Sequence, residues 1–492
     1  MRALIIDLNN FALYPSIAVG YLAANLRRAN IEVDVMAPMS NGVKGVSREP
    51  VPPAWGWIDQ AIRYGTGVSR NSTIRSIRKR FAARMSSQLY RSKVPMVEEF
   101  TRRLDEKSYD VVLISTYLMY FEHCFALGEV CHDRKVALVL GGPYFSVGDV
   151  AREWMDIPGL TALVGGEVDL HLDEILKTAV AGGSFEHIPG VWNRDRKTPL
   201  TSPPLTDLDS VAFPDYTDFP WHLYPNRIVP LLTGRGCGWG VCTFCSDITS
   251  TAGRTFRSRS TANVLDEIAR QASIHDSSLF VFTDLKLNSD LQIWHAIIGE
   301  MQRIVPGARW IGSVHVGNRS SEGLSLRELQ LARKSGMVRL TTGMESGSKK
   351  VLSKMAKGTD PDTTSRFLLD ARTAGISVRI TLIIGYPGEN SDDVNETSSF
   401  LEKHECCLER INLNRFQIMS GTYFGERLIR RPDKYPEIID VESDHRYAQV
   451  EHHNTGIDSS GYRRAVLRLL RIVNRINRRQ LTEAARSFEG VM

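Results

Sequence analysis

Three of the seven cysteines in this chain of 492 residues lie within one short loop, Thr233-Gly-Arg-Gly-Cys-Gly-Trp-Gly-Val-Cys-Thr-Phe-Cys-Ser246. They are Cys237, Cys242 and Cys245. Thiolates are good ligands for soft metals, and the glycines between them let the backbone approach a bulky iron–sulfur cluster without Cβ clashes. A four-iron cluster needs four ligands, and this loop offers three. Either a distant cysteine completes the set, or one iron stays open for a substrate or cofactor.

A structural zinc site is the alternative for the same loop. Zinc takes four ligands, usually as two separated pairs. The sequence has no second Cys/His pair at zinc-finger spacing beside this loop. The pattern therefore favours an iron–sulfur cluster over zinc.

The order Arg235-Gly-Cys followed by Cys242-x-Phe-Cys resembles the cluster loop of the radical S-adenosylmethionine (SAM) enzymes. The family usually has three and then two residues between the cysteines. This chain has four and then two, a spacing that also occurs in parts of the family. The resemblance implies that Cys237, Cys242 and Cys245 hold a [4Fe-4S] cluster whose fourth iron binds the amino and carboxylate groups of SAM. It also implies that Phe244 lies beside the adenine.

Composition and the start of the chain indicate the class and compartment of the protein. The chain is 42% hydrophobic and 24% charged with a net charge of +5, as in soluble globular proteins. No apolar run approaches the about 20 residues that a membrane helix needs. The N-terminus passes directly into a strand pattern without a signal peptide, and an odd number of cysteines does not suit a disulfide framework. These features predict a cytoplasmic protein.

Residues 1–185 alternate between short apolar strands and helical periodicity. Strands are predicted at residues 3–6, 32–36, 110–115, 136–143 and 160–167. Strands that end in small residues and are followed by helices indicate a doubly wound, Rossmann-like α/β domain with a ligand site at the carboxyl ends of its strands. A basic helical insertion at about residues 40–105 interrupts the pattern. It is predicted to present a solvated helix face, with binding of phosphate or an acidic partner as the alternative.

Small residues collect at the predicted carboxyl ends of these strands. They are Ser115, Thr116, Gly141, Gly142, Pro143, Gly165, Gly166 and Glu167. Taken alone, the glycines are equally well explained as ordinary turns of a Rossmann-like fold. Ahead of a radical SAM loop, this set and Pro15–Leu22 resemble the cobalamin-binding domain of many such enzymes, which implies that they surround a cobalamin. The chain lacks the Asp-x-His-x-x-Gly motif of proteins that ligate cobalt through histidine, so the resemblance implies displaced dimethylbenzimidazole and no histidine on cobalt.

A proline-rich linker at residues 186–227 is followed by a second α/β alternation at residues 228–425. Strands are predicted at residues 228–232, 279–284, 310–314, 339–343, 377–384 and 410–414. Six strand–helix repeats are too few for a closed eight-stranded barrel and predict an open (β/α)6 partial barrel. The cysteine loop follows the first of these strands, which places the cluster at the rim of the barrel mouth.

Several residues of the second domain resemble SAM contacts of the family. Glu345 resembles the residue that binds the SAM ribose or amino group, and Gly385 and Gly388 belong to a Gly-Tyr-Pro-Gly-Glu sequence that resembles the turn beneath the adenine. Arg379 is expected where a basic partner for the SAM carboxylate lies. Asp284 ends a strand that faces the mouth, where it suits either a contact with SAM or substrate or a helix cap.

Residues 426–492 are predicted to form a helical C-terminal region. Residues 462–475 repeat apolar and basic residues at helical spacing, which is typical of a helix that packs its apolar stripe on its own barrel. Closing the barrel mouth and docking a carrier protein are the alternatives. The pairs Cys406/Cys407 and Cys124/Cys131 are predicted to be structural, because adjacent cysteines bridge poorly and neither site has enough ligands for a separate metal.

These resemblances predict a cobalamin-dependent radical SAM C-methyltransferase that acts on a small molecule or peptide, free or carrier-bound, in bacterial biosynthesis. Its cofactors are then a [4Fe-4S] cluster, SAM and cobalamin, its electron donor a flavodoxin or ferredoxin, and nucleic acid is not expected as a partner. The pattern assigns no catalytic residue. A non-methylating cyclisation or rearrangement is one alternative, and a cobalamin or iron–sulfur sensor is another. Methylthiolation of transfer RNA needs three N-terminal cysteines for a second cluster, and only Cys124 and Cys131 precede the linker.

Overall fold

A computed structural model describes the chain except for residues 10–12, 44, 46–50, 72, 75–76, 78–86, 195–201, 247–255, 319–321 and 492, and it gives only the backbone of residues 87–92. The basic run predicted for the insertion lies outside the described side chains; its members are Arg75, Arg78, Lys79, Arg80, Arg84 and Arg91. In the part of the chain that is described, no helix is both long and apolar enough to cross a membrane.

Six strands form the N-terminal sheet in the order β2-β1-β3-β4-β5-β6. The strands are β1 (Arg2–Asp7), β2 (Glu32–Met36), β3 (Val111–Ser115), β4 (Ala137–Gly141), β5 (Leu160–Val164) and β6 (Val191–Trp192). The first five are parallel, and β6 joins β5 antiparallel. The predicted doubly wound sheet is confirmed. The strand β6 lies in the predicted linker, and its two residues are too few to give a strand pattern.

Helices cover both faces of this sheet because its strands are apolar on both faces. They are α1 (Ile17–Arg28), α3 (Ser87–Glu106), α4 (Phe121–Arg134), α5 (Gly148–Trp154) and α6 (Leu172–Ala181), and the insertion contributes α2 (Gly56–Val68). Ile5 and Leu113 pack in the core with α1 and α6, whereas Ile6 and Ile114 pack in a second core with α3 and α4. Helices therefore cover both faces of the N-terminal sheet, and a ligand can reach it at the carboxyl ends of its strands.

The helix α2 of the insertion packs on the C-terminal helix, α14 (Ser460–Asn477). The guanidinium of Arg471 lies 4.3 Å from the ring centroid of Trp57, and the Asn474 side chain donates hydrogen bonds to the carbonyl oxygens of Pro53 and Ala54. The insertion therefore contacts the C-terminal helix directly.

Six parallel strands form the second sheet in the order β14-β13-β12-β11-β10-β7. They are β7 (Ile228–Leu231), β10 (Leu279–Phe282), β11 (Arg309–Val314), β12 (Met337–Glu345), β13 (Ser377–Ile384) and β14 (Arg410–Arg415). The helices among them are α7 (Thr261–His275), α8 (Leu291–Ile304), α9 (Leu326–Lys334), α10 (Lys349–Lys354), α11 (Pro361–Thr373) and α12 (Ser391–Lys403). The predicted open six-stranded partial barrel is confirmed. Ile380 and Leu382 pack in the outer core, whereas Thr381 points inward to Glu345.

The C-terminal region contains strands that its sequence did not predict. The strands β15 (Ile418–Met419), β16 (Ile438–Asp444) and β17 (Gln449–Asn454) form a small antiparallel sheet, with α13 (Tyr423–Arg430) between β15 and β16. The helix α14 buries its apolar stripe, including Leu469 and Val473, in the barrel core. After it, Phe488 is fully buried at the base of the barrel, where Arg339 donates a hydrogen bond to the Phe488 carbonyl oxygen.

Candidate functional site

The cysteine loop begins in a small antiparallel ribbon of β8 (Gly234–Arg235) and β9 (Arg257–Ser258), directly after β7. Asp284, at the carboxyl end of β10, binds the first residues of this loop through its carboxylate. Its carboxylate accepts hydrogen bonds from the hydroxyl and amide of Thr233, at 2.7 and 3.1 Å, and from the amide of Gly234 at 3.0 Å. Burial raises the pKa of Asp284 to about 6, although these hydrogen bonds lower it. The side chain therefore positions the base of the loop.

Asp284 does not cap a helix. The next helix, α8, is capped by Asp290, whose side chain accepts hydrogen bonds from the amides of Gln292 and Ile293. Of the two roles predicted for Asp284, the cap is thus wrong. A contact with SAM or substrate stays a prediction.

Thr243 joins the outer edge of the loop by hydrogen bonds to the end of α10 and to α13. The amide of Thr243 donates a hydrogen bond to the Met355 carbonyl oxygen at 3.0 Å, after helix α10, and the Thr243 carbonyl accepts one from the Phe424 amide of α13 at 2.8 Å. The hydroxyl of Thr243 also lies 2.8 Å from that of Tyr386. Because Thr243 stands between Cys242 and Cys245, these bonds set the position of both thiols.

Trp239 fixes the middle of the loop. Its indole N–H donates a hydrogen bond to the Ala356 carbonyl oxygen at 2.8 Å, and its ring stacks on His315 with centroids 5.6 Å apart. A Cβ atom on Gly358 would lie 2.2 Å from the Trp239 ring, and Gly358 has a φ of +71°. Only glycine fits this position, a constraint that the spacing of the cysteines did not reveal.

The three cysteines are free thiols; Cys242 is buried, and Cys237 and Cys245 are partly exposed. Among the described residues, no three His, Cys, Asp or Glu side chains are arranged to hold a metal ion. The chemistry of the loop nevertheless fits an iron–sulfur cluster, because its donors are three soft thiols on a fastened backbone. A buried ammonium group close by, that of Lys357, can offset the negative charge that such a cluster brings.

Lys357 is a site residue that the sequence analysis missed. Its Nζ lies 3.0 Å from Oε1 of Glu345 and 5.9 Å from the ring centroid of Phe244. Burial lowers the pKa of Lys357, but Glu345 and the thiols of Cys242 and Cys245 outweigh that effect and raise it overall. Lys357 lies three residues beyond the end of α10 and belongs to no sequence motif, so only the fold shows that it meets the cysteine loop.

Glu345 stands where predicted, at the carboxyl end of β12. The residue has a φ of +62°, and the pairing with β13 shifts register between Gly343 and Glu345. This irregularity turns its carboxylate inward, where Oε1 meets Lys357 and Oε2 accepts a hydrogen bond from the Thr381 hydroxyl at 3.2 Å. Backbone strain of this kind is found at functional sites.

Arg379 lies deeper in the barrel than predicted. It is the third residue of β13, two residues before Thr381 and therefore nearer the amino end of the strand. Its side chain is buried, and its partners on the neighbouring strands are Thr341 and Arg410. The cation at the carboxyl ends of the strands, beside Glu345, is Lys357. The sequence thus predicted the strand and the inward face of Arg379 but not its depth.

The side chain of Glu389 stabilises the turn at residues 385–389 by hydrogen bonds. Gly385 and Gly388 have φ values of +82° and +80°, which glycine adopts at low cost. One carboxylate oxygen of Glu389 accepts hydrogen bonds from the Gly385 amide at 2.6 Å and from the Tyr462 hydroxyl at 2.5 Å. Burial raises the pKa of Glu389 to about 7. The side chain of Asn454 donates a hydrogen bond to the Gly385 carbonyl oxygen at 3.0 Å.

A cavity of about 410 Å³ lies between the carboxyl ends of the N-terminal strands and the ribbon that starts the cysteine loop. From the N-terminal side it is lined by the predicted residues Ser115, Gly141, Gly142, Pro143, Gly166 and Glu167, together with Ile17, Ala18, Tyr21 and Leu22. From the barrel side it is lined by Gly234, Arg235, Gly236, Arg257, Thr283 and Leu285. Apolar walls and a glycine edge fit the approach of a bulky cofactor.

Two of the predicted cavity residues do not line it. The hydroxyl of Thr116 donates a hydrogen bond to the Tyr117 carbonyl oxygen at 3.0 Å and faces Cys124. A Cβ atom on Gly165 would lie 2.2 Å from the Phe145 carbonyl oxygen, so this glycine serves close backbone packing. A Cβ atom on Gly142 would meet the Thr116 carbonyl oxygen at 2.6 Å, which explains the glycine there.

Two ion pairs join the N-terminal domain to the ribbon. Arg235 makes a bidentate pair with Asp169 at 2.7 and 2.9 Å, and Arg257 makes one with Glu167 at 2.6 and 3.0 Å. All four side chains are mostly buried. The amide of Leu205 donates a further hydrogen bond to Glu167. The carboxylate of Glu167 therefore binds the ribbon, although its residue also borders the cavity.

Comparisons with known proteins agree with these features. Residues 231–401 match the family model of the radical SAM superfamily. The chain is 24% identical over 302 residues to the uncharacterized methyltransferase PH0819 of Pyrococcus horikoshii, which covers 59% of this chain and 63% of that protein. It is 26% identical over 281 residues to the anaerobic magnesium-protoporphyrin IX monomethyl ester cyclase of Rubrivivax gelatinosus, which covers 54% of this chain and 48% of the cyclase.

Among solved structures, the fold is similar to that of TsrM from Kitasatospora setae, a radical SAM methyltransferase with cobalamin and a [4Fe-4S] cluster bound. The TM-score is 0.63 at 14% identity, over 90% of this chain and 81% of TsrM. At this identity the likeness concerns the fold. The chain spans 63% and 48% of the lengths of the two relatives above, which is less than two thirds of either.

Proposed function

We propose, from the premise that residues 231–401 form a radical SAM domain, that this chain is a cobalamin-dependent radical SAM C-methyltransferase. Its substrate is a small molecule or peptide, and the methyl group is added to an unactivated carbon in a bacterial biosynthesis. The fold of TsrM, which binds cobalamin and a [4Fe-4S] cluster, supports the pairing of the two cofactors in one chain.

One observation carries the proposal: a single cavity borders both proposed cofactor sites. Gly141 and Gly142 line it from the N-terminal sheet, and Gly234 and Gly236 line it from the ribbon. Gly236 directly precedes Cys237. A cobalamin in this cavity and a cluster on the cysteine loop would therefore be neighbours, which transfer of a methyl group from cobalamin to a substrate carbon activated beside the cluster requires.

When bound, the cluster would supply the electron that cleaves SAM to methionine and a 5′-deoxyadenosyl radical, and cobalamin would supply a methyl group. The protein binds and orients these groups and keeps water from them. We assign Cys237, Cys242 and Cys245 as cluster ligands. The residues assigned to SAM are Phe244, Asp284, Glu345, Lys357, Gly385 and Gly388; Arg379, the basic partner expected from the sequence, lies deeper on β13, and Lys357 takes its place beside Glu345. The residues assigned to cobalamin are Ser115, Gly141, Gly142, Pro143, Gly166 and Glu167.

A non-methylating cyclisation or rearrangement is the second candidate function. The observation in its favour is the match to the cyclase of Rubrivivax gelatinosus at 26% identity. Both reactions use the same two cofactor sites, so geometry does not separate them. Product analysis does, because only methyl transfer releases S-adenosylhomocysteine.

The experiment uses protein reconstituted with iron, sulfide and cobalamin, incubated with SAM and the chemical reductant titanium(III) citrate. We expect both 5′-deoxyadenosine and S-adenosylhomocysteine. 5′-Deoxyadenosine without S-adenosylhomocysteine supports the second candidate. Absence of SAM binding contradicts both and favours a sensor, which has no use for the residues assigned to SAM.

A further inference from the structure

A second cavity, of about 860 Å³, borders β14, which stands at one end of the barrel sheet with β13 on its inner side. Ile411, Asn412 and Leu413 of this strand all line the cavity. Because successive side chains of a strand point to opposite faces, the cavity runs along the edge of β14. The remaining lining comes from α2 and from α14, including Leu470 and Val473. We call this space between a strand edge and two helices the edge groove.

The backbone of β14 offers hydrogen bonds to the edge groove. The Ile411 amide donates a hydrogen bond to the Asn477 side chain at 2.7 Å, and the Ile411 carbonyl oxygen accepts one from it at 2.8 Å, as from a neighbouring strand. The Phe416 amide, of the opposite parity, donates instead to the Ile384 carbonyl oxygen of β13. Backbone groups alternate in direction along a strand, so those of Leu413 point the same way as those of Ile411. Among the described residues, no side chain forms a hydrogen bond with the Leu413 backbone, and an added strand can pair there.

The lining of the edge groove favours a neutral, partly apolar occupant. Its charged side chains are bonded within the protein, in the pairs Arg63 with Asp59, Arg410 with Glu489, and Arg415 with the Gly67 carbonyl oxygen. Exposed apolar surface comes from Trp55 and Val51, which are 61% and 54% exposed. Tryptophan is frequent among the residues that carry most of the binding energy of an interface. A chain of amides with apolar side chains fits this lining better than an ion does.

The edge groove reaches the site assigned to SAM. Ile384 lines the groove and directly precedes Gly385, the first residue of the turn at residues 385–389. Gly67 and Arg415 line both the groove and a neighbouring cavity of about 500 Å³ that Gly385 also lines. A segment bound along β14 therefore lies next to the SAM turn.

We propose that the edge groove binds an extended segment of a peptide substrate as an added strand beside β14; this inference rests on the proposed function, because it selects the peptide from the substrate classes proposed. In this mode of recognition, main-chain hydrogen bonds give affinity and pockets for alternate side chains give specificity. Five residues of an extended strand span about 16 Å, which matches β14 from Ile411 to Arg415. The bound segment anchors the substrate, and the residue to be methylated extends from the groove to the barrel mouth.

The test begins with a phage-displayed library of random seven-residue peptides, selected anaerobically on the parent protein reconstituted with iron, sulfide and cobalamin. One selected peptide is synthesised, and its dissociation constant is measured by calorimetry. The peptide is then made again with a single N-methyl group on each backbone amide in turn. Leu413→Pro removes the outward amide of β14, and Leu413→Ala keeps it. Trp55→Ala removes an exposed aromatic side chain from the groove, and Tyr423→Ala removes one that is 47% exposed and does not line it.

We expect N-methylation of every second amide to weaken binding about tenfold and that of the others to change it less than about twofold, because only alternate amides of an added strand face β14. Leu413→Pro and Trp55→Ala should each weaken binding about tenfold. Leu413→Ala and Tyr423→Ala should stay within about threefold of the parent, since both retain the amide and the groove.

Failure to enrich any peptide overturns the proposal, and so do N-methyl effects without a period of two residues. Binding that Leu413→Pro and Trp55→Ala leave unchanged overturns it as well. If Leu413→Pro does not fold, the N-methyl series and Trp55→Ala decide. Cleavage of SAM is measured separately, on the same reconstituted parent with titanium(III) citrate. Absence of 5′-deoxyadenosine there refutes the proposed function, whatever the peptide binding shows.

Discussion

Arg235 and Asp169 join the two halves of the protein by a bidentate ion pair with distances of 2.7 and 2.9 Å. Arg235 belongs to the ribbon that starts the cysteine loop, and Asp169 follows the fifth strand of the N-terminal sheet. The guanidinium also lies 5.7 Å from the ring centroid of Tyr21, which borders the same cavity. The position of the proposed cluster loop therefore depends on the N-terminal domain.

The first prediction concerns this ion pair. Asp169→Asn leaves the Arg235 guanidinium mostly buried without its counter-charge, which costs about 3 kcal/mol. We expect a lower thermal midpoint by calorimetry and a lower content of both iron and cobalt per chain. Asp173→Asn is the matched control, because Asp173 pairs with Lys177 at the surface of the next helix and touches neither the ribbon nor the cavity. Equal effects of both variants contradict the prediction.

The second prediction concerns the glycine edge of the cavity. In Gly142→Val the new Cβ lies 2.6 Å from the Thr116 carbonyl oxygen, so the backbone must shift. We expect loss of most of the bound cobalamin, measured by the visible spectrum, with iron content unchanged. The nearest atom to a Cβ on the preceding Gly141 is 4.0 Å away, so Gly141→Ala retains more cobalamin than Gly142→Ala. More bound cobalamin in Gly142→Ala than in Gly141→Ala would contradict a cobalamin site at this edge.

The third prediction concerns Lys357. Lys357→Met keeps the length of the side chain but removes the cation 3.0 Å from Glu345. With its counter-charge gone, the buried Glu345 carboxylate repels the anionic groups of the proposed site, and we expect SAM to bind about tenfold more weakly. The measurement is the change that SAM makes in the electron paramagnetic resonance spectrum of the reduced cluster. Lys349→Met, on the exposed side of α10, should bind SAM like the parent.

The fourth prediction concerns pH. The pKa of Glu389 in the fold, about 7, lies above the usual carboxyl value of 4.5 because the group is buried. A folded-state pKa above the unfolded one means that the fold binds the proton more tightly, so stability falls as pH rises between about 4.5 and 7. Asp284 adds to this fall between about 4 and 6. We expect the thermal midpoint of the parent to fall as the pH is raised from about 4 to 7. In Glu389→Gln, which lacks this titrating group, the midpoint should fall less over the same range.

Much of the fold was predictable because buried strands and amphipathic helices have local signatures. The strands around the cysteine loop have apolar cores and small ends, and the predicted β13 has the bounds that the structure shows. Other elements lack such signatures. The strand β16 alternates apolar and acidic residues only over Ile439-Asp440-Val441-Glu442, and most of its side chains are exposed, so no buried face marks it as a strand. The sequence therefore predicted helix alone for this region.

The candidate site was predictable where residues act close together in sequence and not where they meet only in space. The cysteines, Glu345 and the Gly385 turn each lie in a short motif. Lys357 reaches Glu345 because of the irregular end of β12, and Asp169 reaches Arg235 because two domains meet. Contacts of that kind follow from tertiary packing, which spacing does not encode.

Whether one chain holds both the cluster and cobalamin can be measured without a substrate. The protein is purified anaerobically with hydroxocobalamin supplied, beside Cys242→Ala, and iron, sulfide and cobalt per chain are measured with the visible spectrum. We expect about four irons and about one cobalamin in a base-off spectrum, and loss of the iron in Cys242→Ala. Iron without cobalt contradicts methyl transfer through cobalamin. Iron that is equal in the parent and in Cys242→Ala contradicts the cluster itself.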